Sequence, residues 1–278
     1  MVNVAKRVLV FDSGVGGLSV LDAIAASDAL LHLDYLADNS WLPYGLKSDA
    51  QLRERVPALL SRVSEDWAPD LIVVACNTAS TIALEAVRAA LAIPIVGVVP
   101  PIKPAAALTR TGVIGLLATP ATVQRPYTNE LIAQFAAGKR VIRLGSAELV
   151  QAAERKLAGA PESEITHAAA QTCAQLFGAP GGAEIDVVAL ACTHFPLLAH
   201  ELAAAAPRPC VWLDSGEAIA RRVRQLLNAP SGEPRLGQAG FTDADAMRPA
   251  FPAFQARGIA DFMSVGPAPY FSTAPADF

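Results

Sequence analysis

The sequence has no long hydrophobic run, although 53% of its 278 residues are hydrophobic and its mean hydropathy is +0.35. The two most apolar stretches lie at 71–76 and 187–192. Both are far shorter than the ~20 residues that span a bilayer. The apolar segment at 8–11 is too short for a signal peptide and is followed at once by Asp12. We therefore expect a cytoplasmic protein without a membrane partner.

Charge is also scarce, since only 17% of the residues are charged and the net charge is −4. Low charge combined with high hydrophobicity excludes an intrinsically disordered chain. The densest basic cluster is Arg221, Arg222 and Arg224, at helical spacing. A solvated helix face explains this cluster better than a nucleic-acid footprint, so no nucleic-acid partner is expected.

Cysteine is sparse, with four in the chain, at positions 76, 173, 192 and 210, and no C-x-x-C pair. This pattern indicates neither a disulfide framework nor a zinc ribbon. Cys173, inside an amphipathic segment, and Cys210, beside a short strand, are interpreted as core residues. Cys76 and Cys192 differ because polar residues follow them directly, which is unusual for a strand that ends in the core.

What the sequence has instead is a regular alternation of short apolar runs and amphipathic stretches. The runs predict strands at 6–11, 33–36, 71–75, 95–99, 113–117, 141–144, 187–191 and 211–213. The amphipathic stretches predict helices from 18 and at 52–67, 80–91, 127–136, 149–157, 165–177, 196–205 and 217–227, with Pro57 in a first turn. This alternation is typical of an α/β fold with parallel sheets covered on both faces.

The pattern occurs twice, with a break at Pro100, Pro101 and Pro104. The segments 70–76 and 186–192 each have Asp, five mostly apolar residues and then Cys. This repeat predicts two pseudo-symmetric lobes with mainly parallel sheets and an active site in the cleft between them. The expected boundaries are 1–99 for the first lobe, completed by 215–278, and 100–214 for the second.

Two cysteines at strand ends suggest acid–base chemistry at that cleft, because ligands bind at the carboxyl ends of parallel strands. The start of the following helix can lower the pKa of a thiol there. Two thiols on either side of one carbon can invert its configuration, one removing the Cα proton and the other donating a proton to the opposite face. His194 is placed to orient or deprotonate Cys192, and Asp12 to do so for Cys76.

Three other interpretations of these residues stay open at this point. A hydrolase could use Cys192 as nucleophile with His194 as base, but it has no need of Cys76. A non-catalytic binding module is a second alternative. A zinc site at Cys76, Cys192 and His194 lacks the usual second ligand pair.

The glycine-rich turn at 12–17 follows a strand and opens a helix, as a dinucleotide-binding fingerprint does. The fingerprint requires a glycine at position 19, where this chain has Ser19. We therefore interpret the turn as a source of backbone N–H groups and of the Asp12 and Ser13 side chains, where a substrate carboxylate or ammonium could bind.

At these residues the sequence resembles the glutamate racemases, of the cofactor-independent aspartate/glutamate racemase superfamily. The matching segments are FDSGVGGLSV at 11–20, LPYG at 42–45 with KS at 47–48, ACNTAS at 75–80, AT at 118–119 with TV at 122–123, CTHFPLL at 192–198 and DSG at 214–216. They occur in the family's order and cover about residues 7–227, whereas the tail from Gly237 matches only loosely.

The resemblance implies interconversion of L- and D-glutamate without pyridoxal phosphate or metal, supplying D-glutamate for peptidoglycan. The implied acid–base thiols are Cys76 and Cys192. The implied site residues are Asp12, Ser13, Pro43, Tyr44, Gly45, Asn77, Thr78, Thr122, Thr193 and His194. Glu154 matches a family carboxylate near the second cysteine, with Glu148 as the alternative, because the segment 145–148 departs from the Cys-Pro pattern of many members.

In this departure at 145–148 the sequence resembles the proteobacterial branch of the family. In that branch the peptidoglycan precursor UDP-N-acetylmuramoyl-L-alanine can act as activator. The partners to consider are therefore the substrate glutamate, such an activator, and a second copy of the chain in a homodimer. A racemase for another substrate, such as aspartate or a hydantoin, remains an alternative. No arginine falls within the matched segments, so the expected ligands of the substrate's γ-carboxylate are hydroxyls and backbone N–H groups.

Overall fold

Ten strands and thirteen α-helices form the described part of the chain, residues 5–266 of a computed structural model. The strands are β1 (Lys6–Asp12), β2 (Leu31–Ala37), β3 (Leu71–Val74), β4 (Ile95–Gly97), β5 (Val113–Ala118), β6 (Arg140–Gly145), β7 (Val187–Ala191), β8 (Val211–Leu213), β9 (Arg235–Phe241) and β10 (Asp261–Ser264). The eight strands expected from the apolar runs are confirmed to within two residues at either end.

The helices follow the strands in alternation as far as β8, as the pattern predicts. They are α1 (Leu18–Ala25), α2 (Asp49–Trp67), α3 (Asn77–Ile82), α4 (Leu84–Ala90), α5 (Ile102–Leu108), α6 (Pro120–Gln124), α7 (Pro126–Phe135), α8 (Ala147–Leu157), α9 (Glu162–Gly178), α10 (Ala199–Ala205), α11 (Gly216–Leu227), α12 (Ala244–Met247) and α13 (Phe251–Gln255). Within residues 5–266, no helix combines the length and the apolar character that crossing a membrane requires.

The strands form two parallel sheets with the same internal order. The first sheet runs β10-β9-β2-β1-β3-β4 and the second β6-β5-β7-β8. Every neighbouring pair is parallel. The order β2-β1-β3-β4 is repeated as β6-β5-β7-β8, which confirms the α/β class and the two pseudo-symmetric lobes. We call the first sheet with α1–α4 and α11–α13 the first lobe, and the second sheet with α5–α10 the second lobe.

Asp70 and Asp186, the first residues of the two cysteine segments, make equivalent hydrogen bonds in the two lobes. Asp70 precedes β3 and accepts hydrogen bonds from the Arg7 N–H (2.8 Å) and the Lys6 ammonium (2.7 Å) at the start of β1. Asp186 precedes β7 and accepts from the Thr109 hydroxyl (2.6 Å) and the Arg110 N–H (2.7 Å), just before β5. Each carboxylate thus ties the start of a central strand to the chain beside it. The aspartate of each repeated segment therefore has a structural role.

Apolar side chains are buried on both faces of each sheet, with two core clusters to a lobe. The chain crosses between the lobes near residues 98–101 and 214–215, and the Ser215 hydroxyl bonds the Val99 carbonyl across the two crossings (2.7 Å). Ile219, Ala220 and Val223 of α11 are buried in the core of the first lobe. The segment 235–264 adds β9 and β10 to the first sheet. Residues 1–4 and 267–278, which the expected first lobe includes, lie outside the described residues.

Two helices in the first half of the chain differ from the expectation. Helix α2 begins at Asp49 rather than 52, because the Ser48 hydroxyl and the Gln51 side chain form a reciprocal capping box. Pro57 therefore lies in the helix interior and not in its first turn, at the cost of one backbone hydrogen bond. The single helix expected at 80–91 is instead α3 and α4, which meet at Ala83. The Thr81 hydroxyl bonds back to the Asn77 carbonyl (2.6 Å), a contact that often bends a helix.

The helix expected at 196–205 also divides in two. Residues Phe195–Leu198 form a 3-10 turn, and α10 follows from Ala199. Pro196 lies in the first residues of the 3-10 turn, where its missing N–H costs nothing. The start of this segment places His194 directly after the strand-end Cys192.

Replacing Asp186 with Asn should lower the melting temperature by about 2 °C at neutral pH, since an amide accepts hydrogen bonds less strongly than a carboxylate. Burial by itself raises the pKa of Asp186, but the hydrogen bonds from Thr109, Arg110 and Thr111 outweigh it and lower the pKa to about 2. The stability that the ionised group contributes is therefore present above its unfolded pKa of about 3.9 and is lost as the pH falls towards 2.

Scanning calorimetry of wild type and Asp186→Asn from pH 7 to pH 2.5 measures this effect. The gap in melting temperature should be constant above pH 5 and should narrow below about pH 4. Glu217→Gln is the matched control, because the Glu217 side chain is 92% exposed. A difference in melting temperature that stays constant down to pH 2.5 would contradict the stabilising role assigned to the ionised Asp186 carboxylate.

Candidate active site

A cavity of about 410 Å³ lies between the two lobes, at the carboxyl ends of the central strands. Side chains of the first lobe on its wall include Ser13, Tyr44 and Cys76, and side chains of the second lobe include Thr119, Cys192 and His194. Because the carboxyl ends of parallel strands meet at one edge of a sheet, each lobe presents its polar strand ends to the same space. The two cysteines of the sequence repeat therefore line a single cavity, one from each lobe.

The structure brings together all but two of the residues proposed for the site. The residues that line the cavity are Ser13, Pro43, Tyr44, Gly45, Cys76, Asn77, Thr78, Glu154, Cys192, Thr193 and His194. Asp12 is fully buried behind that wall. Thr122 is also buried behind it, and its hydroxyl lies 2.9 Å from that of Thr119, which reaches the cavity.

On the second-lobe side, Cys192 belongs to a chain of three hydrogen-bonding groups. The Cys192 Sγ lies 3.7 Å from His194 Nδ1, and His194 Nε2 lies 2.7 Å from Glu154 Oε1. Burial by itself lowers the pKa of His194, but the hydrogen bonds to Cys192 and Glu154 outweigh it and raise the pKa well above its usual range. These contacts favour the protonated form of the imidazole, which lies beside Cys192.

On the first-lobe side, the contacts of Cys76 are different. Its Sγ lies 3.7 Å from the Ser13 hydroxyl, which in turn lies 3.5 Å from Asp12 Oδ1. Burial, together with the nearby charge of Asp12, raises the pKa of Cys76 to about 12, although the Ala79 N–H at the start of α3 favours the thiolate. The expected lowering of this pKa is therefore wrong for Cys76, because desolvation outweighs the helix N-terminus.

Asp12 connects the two cysteine environments. Its Oδ2 accepts a hydrogen bond from the Thr193 hydroxyl of the other lobe (2.9 Å), and its Oδ1 accepts from the Gly14 N–H (3.1 Å). Burial raises the pKa of Asp12, although the charge of His194 opposes that rise. Asp12 makes no direct hydrogen bond to Cys76 in the structure and reaches it through Ser13.

The glycine-rich turn allows the second lobe to approach closely. A Cβ added at Gly16 would lie about 2.5 Å from both the His194 ring and the Thr193 hydroxyl, which no side chain tolerates. The Gly14 and Val15 N–H groups already donate to Asp12 and Glu154. In the structure, protein carboxylates therefore occupy these two amides of the turn.

The two glutamates considered for the carboxylate near Cys192 occupy different positions on α8. Glu154 Oε1 accepts hydrogen bonds from His194 and from the Val15 N–H (2.9 Å), whereas Glu148 is not on the cavity wall. The sequence arguments missed the rest of this helix face, which places Ala147, Val150, Gln151 and Arg155 on the wall. The i, i+3, i+4, i+7 spacing from Ala147 to Glu154 is the signal that could have found it.

One buried side-chain atom on the wall has no hydrogen-bond partner among residues 5–266. Asn77 Oδ1 is buried and accepts no hydrogen bond from the residues that the structure describes. A buried acceptor of this kind costs free energy unless a ligand satisfies it. Its place at the start of α3, beside Cys76, is suited to a donor such as a substrate ammonium group.

The chain matches the family model for Asp/Glu/hydantoin racemases over residues 16–223. The chain belongs to this family. A glutamate racemase of Sphingopyxis alaskensis is 51% identical to it over 245 residues, covering 87% of this chain and 90% of the relative. A glutamate racemase of Pectobacterium carotovorum is 52% identical over 221 residues, covering 79% of this chain and 76% of the relative.

A solved structure places the racemase in the same group. The crystal structure of Escherichia coli glutamate racemase, in complex with L-glutamate and the activator UDP-MurNAc-Ala, superposes with a TM-score of 0.87. The two are 44% identical, and the match covers 95% of this chain and 99% of that one. The protein is thus an amino-acid racemase of the glutamate racemase group, an isomerase, as the sequence resemblance implied.

Replacing Glu154 with Gln should reduce turnover about 10- to 100-fold, the usual effect of losing one charge-assisted hydrogen bond to a buried imidazolium. Since Glu154 raises the pKa of His194, its loss lowers that pKa, and the alkaline limb of the pH–rate profile should move to lower pH. The measurement is kcat in both directions between pH 6 and pH 10.

Glu148→Gln is the matched control, because it makes the same change on the same helix away from the cavity. It should leave both kcat and the pH profile unchanged. Equal losses in the two variants would contradict the role assigned to Glu154.

Proposed function

We propose that the racemase interconverts L- and D-glutamate by a two-base mechanism, with Cys76 and Cys192 as the acid and base. The observation that carries the proposal is the arrangement of two free thiols, one from each lobe, on the wall of one cavity. Each thiol has its own set of hydrogen-bonding groups. A reaction that removes a proton from one face of Cα and returns one to the other face needs two such groups.

The different surroundings of the two thiols suggest which one removes the Cα proton and which one donates a proton when the resting protein binds substrate. Cys76, with its pKa of about 12, carries its proton at neutral pH. The Cys192 Sγ lies 3.7 Å from His194 Nδ1, and the pKa of His194 is raised, so we assign the proton-abstracting role to this thiol. The Cys192 thiolate takes the Cα proton of one enantiomer while the Cys76 thiol donates its proton to the opposite face. The reverse reaction starts from the opposite pair of protonation states.

The remaining residues bind the substrate or orient the thiols. His194 and Glu154 orient Cys192, and Asp12 acts on Cys76 through Ser13. The side-chain amide oxygen of Asn77, Oδ1, accepts a hydrogen bond from the substrate ammonium. The other binding residues in the proposal are Ser13, Pro43, Tyr44, Gly45, Thr78, Thr193 and, through Thr119, Thr122. No cofactor or metal takes part in this scheme.

Two features favour a racemase over a hydrolase at this site. A cysteine hydrolase would use Cys192 and His194 in the geometry observed, and Glu154 would be its third member. Such an enzyme gives no role to Cys76, whose Ser13 and Asp12 contacts form a second, separate set. The similarity to glutamate racemases over most of the chain agrees with the two-thiol scheme.

Three further proposals concern the setting of the reaction. D-glutamate is supplied for peptidoglycan in the cytoplasm, where thiols stay reduced as the mechanism requires. A peptidoglycan precursor of the UDP-MurNAc-Ala type activates the enzyme, because the E. coli relative binds UDP-MurNAc-Ala as an activator in its crystal structure. The chain works as a homodimer. In each subunit, residues 1–99 and 215–278 belong to the first lobe and residues 100–214 to the second.

Replacing either Cys76 or Cys192 with Ala should lower racemisation at least 10³-fold in both directions, since each removes one acid–base group. Cys173→Ala is the matched control, because it removes a buried thiol that is not on the cavity wall. Circular dichroism of glutamate follows turnover, and far-UV spectra check the fold. Near-normal turnover by either active-site variant in both directions would rule out the two-base scheme.

Purified protein should exchange the Cα proton of both glutamate enantiomers for deuterium in ²H₂O without added cofactor. Parallel reactions with L- and D-aspartate test the alternative substrate, which should exchange at least 100-fold more slowly. Adding UDP-N-acetylmuramoyl-L-alanine should raise the rate. No deuterium in any amino acid would indicate a binding module, and a trapped thioester on Cys192 would indicate a hydrolase.

A further inference from the structure

A buried ion pair lies directly behind the Tyr44 wall of the cavity. Asp38, which follows β2, is fully buried, and Arg55, on α2, is 1% exposed. The Arg55 Nε donates to Asp38 Oδ2 (2.6 Å) and its Nη2 donates to Oδ1 (2.7 Å), so the pair is bidentate. Neither residue lines the cavity, and the two-base scheme gives them no role.

The ion pair holds Tyr44 through its hydroxyl group. Tyr44 donates a hydrogen bond of 2.6 Å to Asp38 Oδ2, the same oxygen that accepts from Arg55. Burial, followed by the charge of Asp38, raises the pKa of Tyr44 well above its usual range, so the phenol stays a donor. The Tyr44 hydroxyl is therefore committed to Asp38, and Tyr44 meets the substrate with its ring and backbone.

The same pair fixes the segment that leads to Tyr44. The Arg55 guanidinium lies 4.3 Å from the centre of the Trp41 ring, and its Nη2 contacts the Ser40 hydroxyl (3.4 Å). The Asp38 N–H donates to the Asp12 carbonyl at the end of β1 (3.0 Å). One buried pair thus connects the segment 38–46, α2 and the strand that carries Asp12.

The stability of the fold does not explain why such a pair is present. Removing two charges from water is costly, and replacing a buried ion pair with apolar residues of similar size is often neutral or stabilising. What apolar residues cannot supply is direction, because a guanidinium and a carboxylate in bidentate contact have one relative orientation. Here the fixed direction of the Asp38 carboxylate sets the position of Tyr44, which bonds to it, and of the adjacent Gly45. Both residues line the cavity.

We propose that Asp38 and Arg55 are positioning residues of the active site, whose paired side chains hold the turn at 43–46 in its substrate-binding conformation. The proposal rests on the proposed function, since it concerns how glutamate is bound. It assigns to the pair a contribution to substrate binding and none to proton transfer. Loss of the pair should therefore raise KM and leave kcat nearly unchanged.

The test uses the double variant Asp38→Leu/Arg55→Met, which removes both charges together and leaves neither of them buried and unpaired. Its melting temperature should stay within a few degrees of wild type. KM for D-glutamate should rise at least tenfold, with kcat within threefold. The matched control is Asp34→Leu/Arg7→Met, which removes an ion pair whose Asp34 is 1% exposed, in the middle of β2 and not on the cavity wall. This control should leave KM unchanged.

Tyr44→Phe completes the test, because it removes only the hydroxyl that Asp38 holds. In the wild-type background it should raise KM about threefold, and in the double variant it should have no further effect. A KM within twofold of wild type in the double variant would overturn the proposal. Equal effects of Tyr44→Phe in the two backgrounds would also overturn it.

Hydrogen exchange supplies a measurement that does not depend on the reaction. The Leu46 and Lys47 N–H groups bond to the Pro43 and Tyr44 carbonyls within the turn. These two amides should exchange at least tenfold faster in the double variant, and unchanged exchange would contradict the proposal. If wild type does not act on glutamate, the proposed function fails, and the exchange rates still decide whether the pair positions the turn.

Discussion

The site depends on hydrogen bonds that join the glycine-rich turn of the first lobe to the second lobe. Thr193 donates to Asp12, the Val15 N–H donates to Glu154, and the Ser19 hydroxyl bonds the Thr193 carbonyl (2.8 Å). These contacts hold the two sheets in one relative position. Since Glu154 also bonds His194, the contact that closes the cleft also orients the group beside Cys192. The same carboxylate of Glu154 thus joins the lobes and orients His194 beside Cys192.

The pseudo-symmetry of the fold does not extend to the chemistry of the thiols. The lobes share strand order and the Asp that precedes each cysteine segment. Cys192 has the imidazole of His194 as neighbour, whereas Cys76 has the Ser13 hydroxyl and, behind it, the buried carboxylate of Asp12. A two-base reaction needs one deprotonated and one protonated group at a time. The duplicated framework therefore gives the two thiols different hydrogen-bonding neighbours.

Much of the fold follows from local patterns in the sequence. The eight strands of the duplicated framework were each marked by an apolar run, and the repeat at 70–76 and 186–192 was sufficient to predict two lobes. The interior position of Pro57 was missed, because the Ser48–Gln51 capping box starts α2 earlier than its apolar face does. β9 and β10 were not assigned individually, since their place beside β2 depends on contacts between distant segments.

The sequence by itself determined the residue types of the site, because strand-end cysteines with polar neighbours and the family's motifs are local features. Only the tertiary structure decided how they are used. It separated Glu154 from Glu148, placed Thr122 behind the cavity wall, and raised the pKa of Cys76 where a lower value was expected. The physical reason is that burial and close contacts between the lobes control these properties. Neither is encoded in the spacing of residues along the chain.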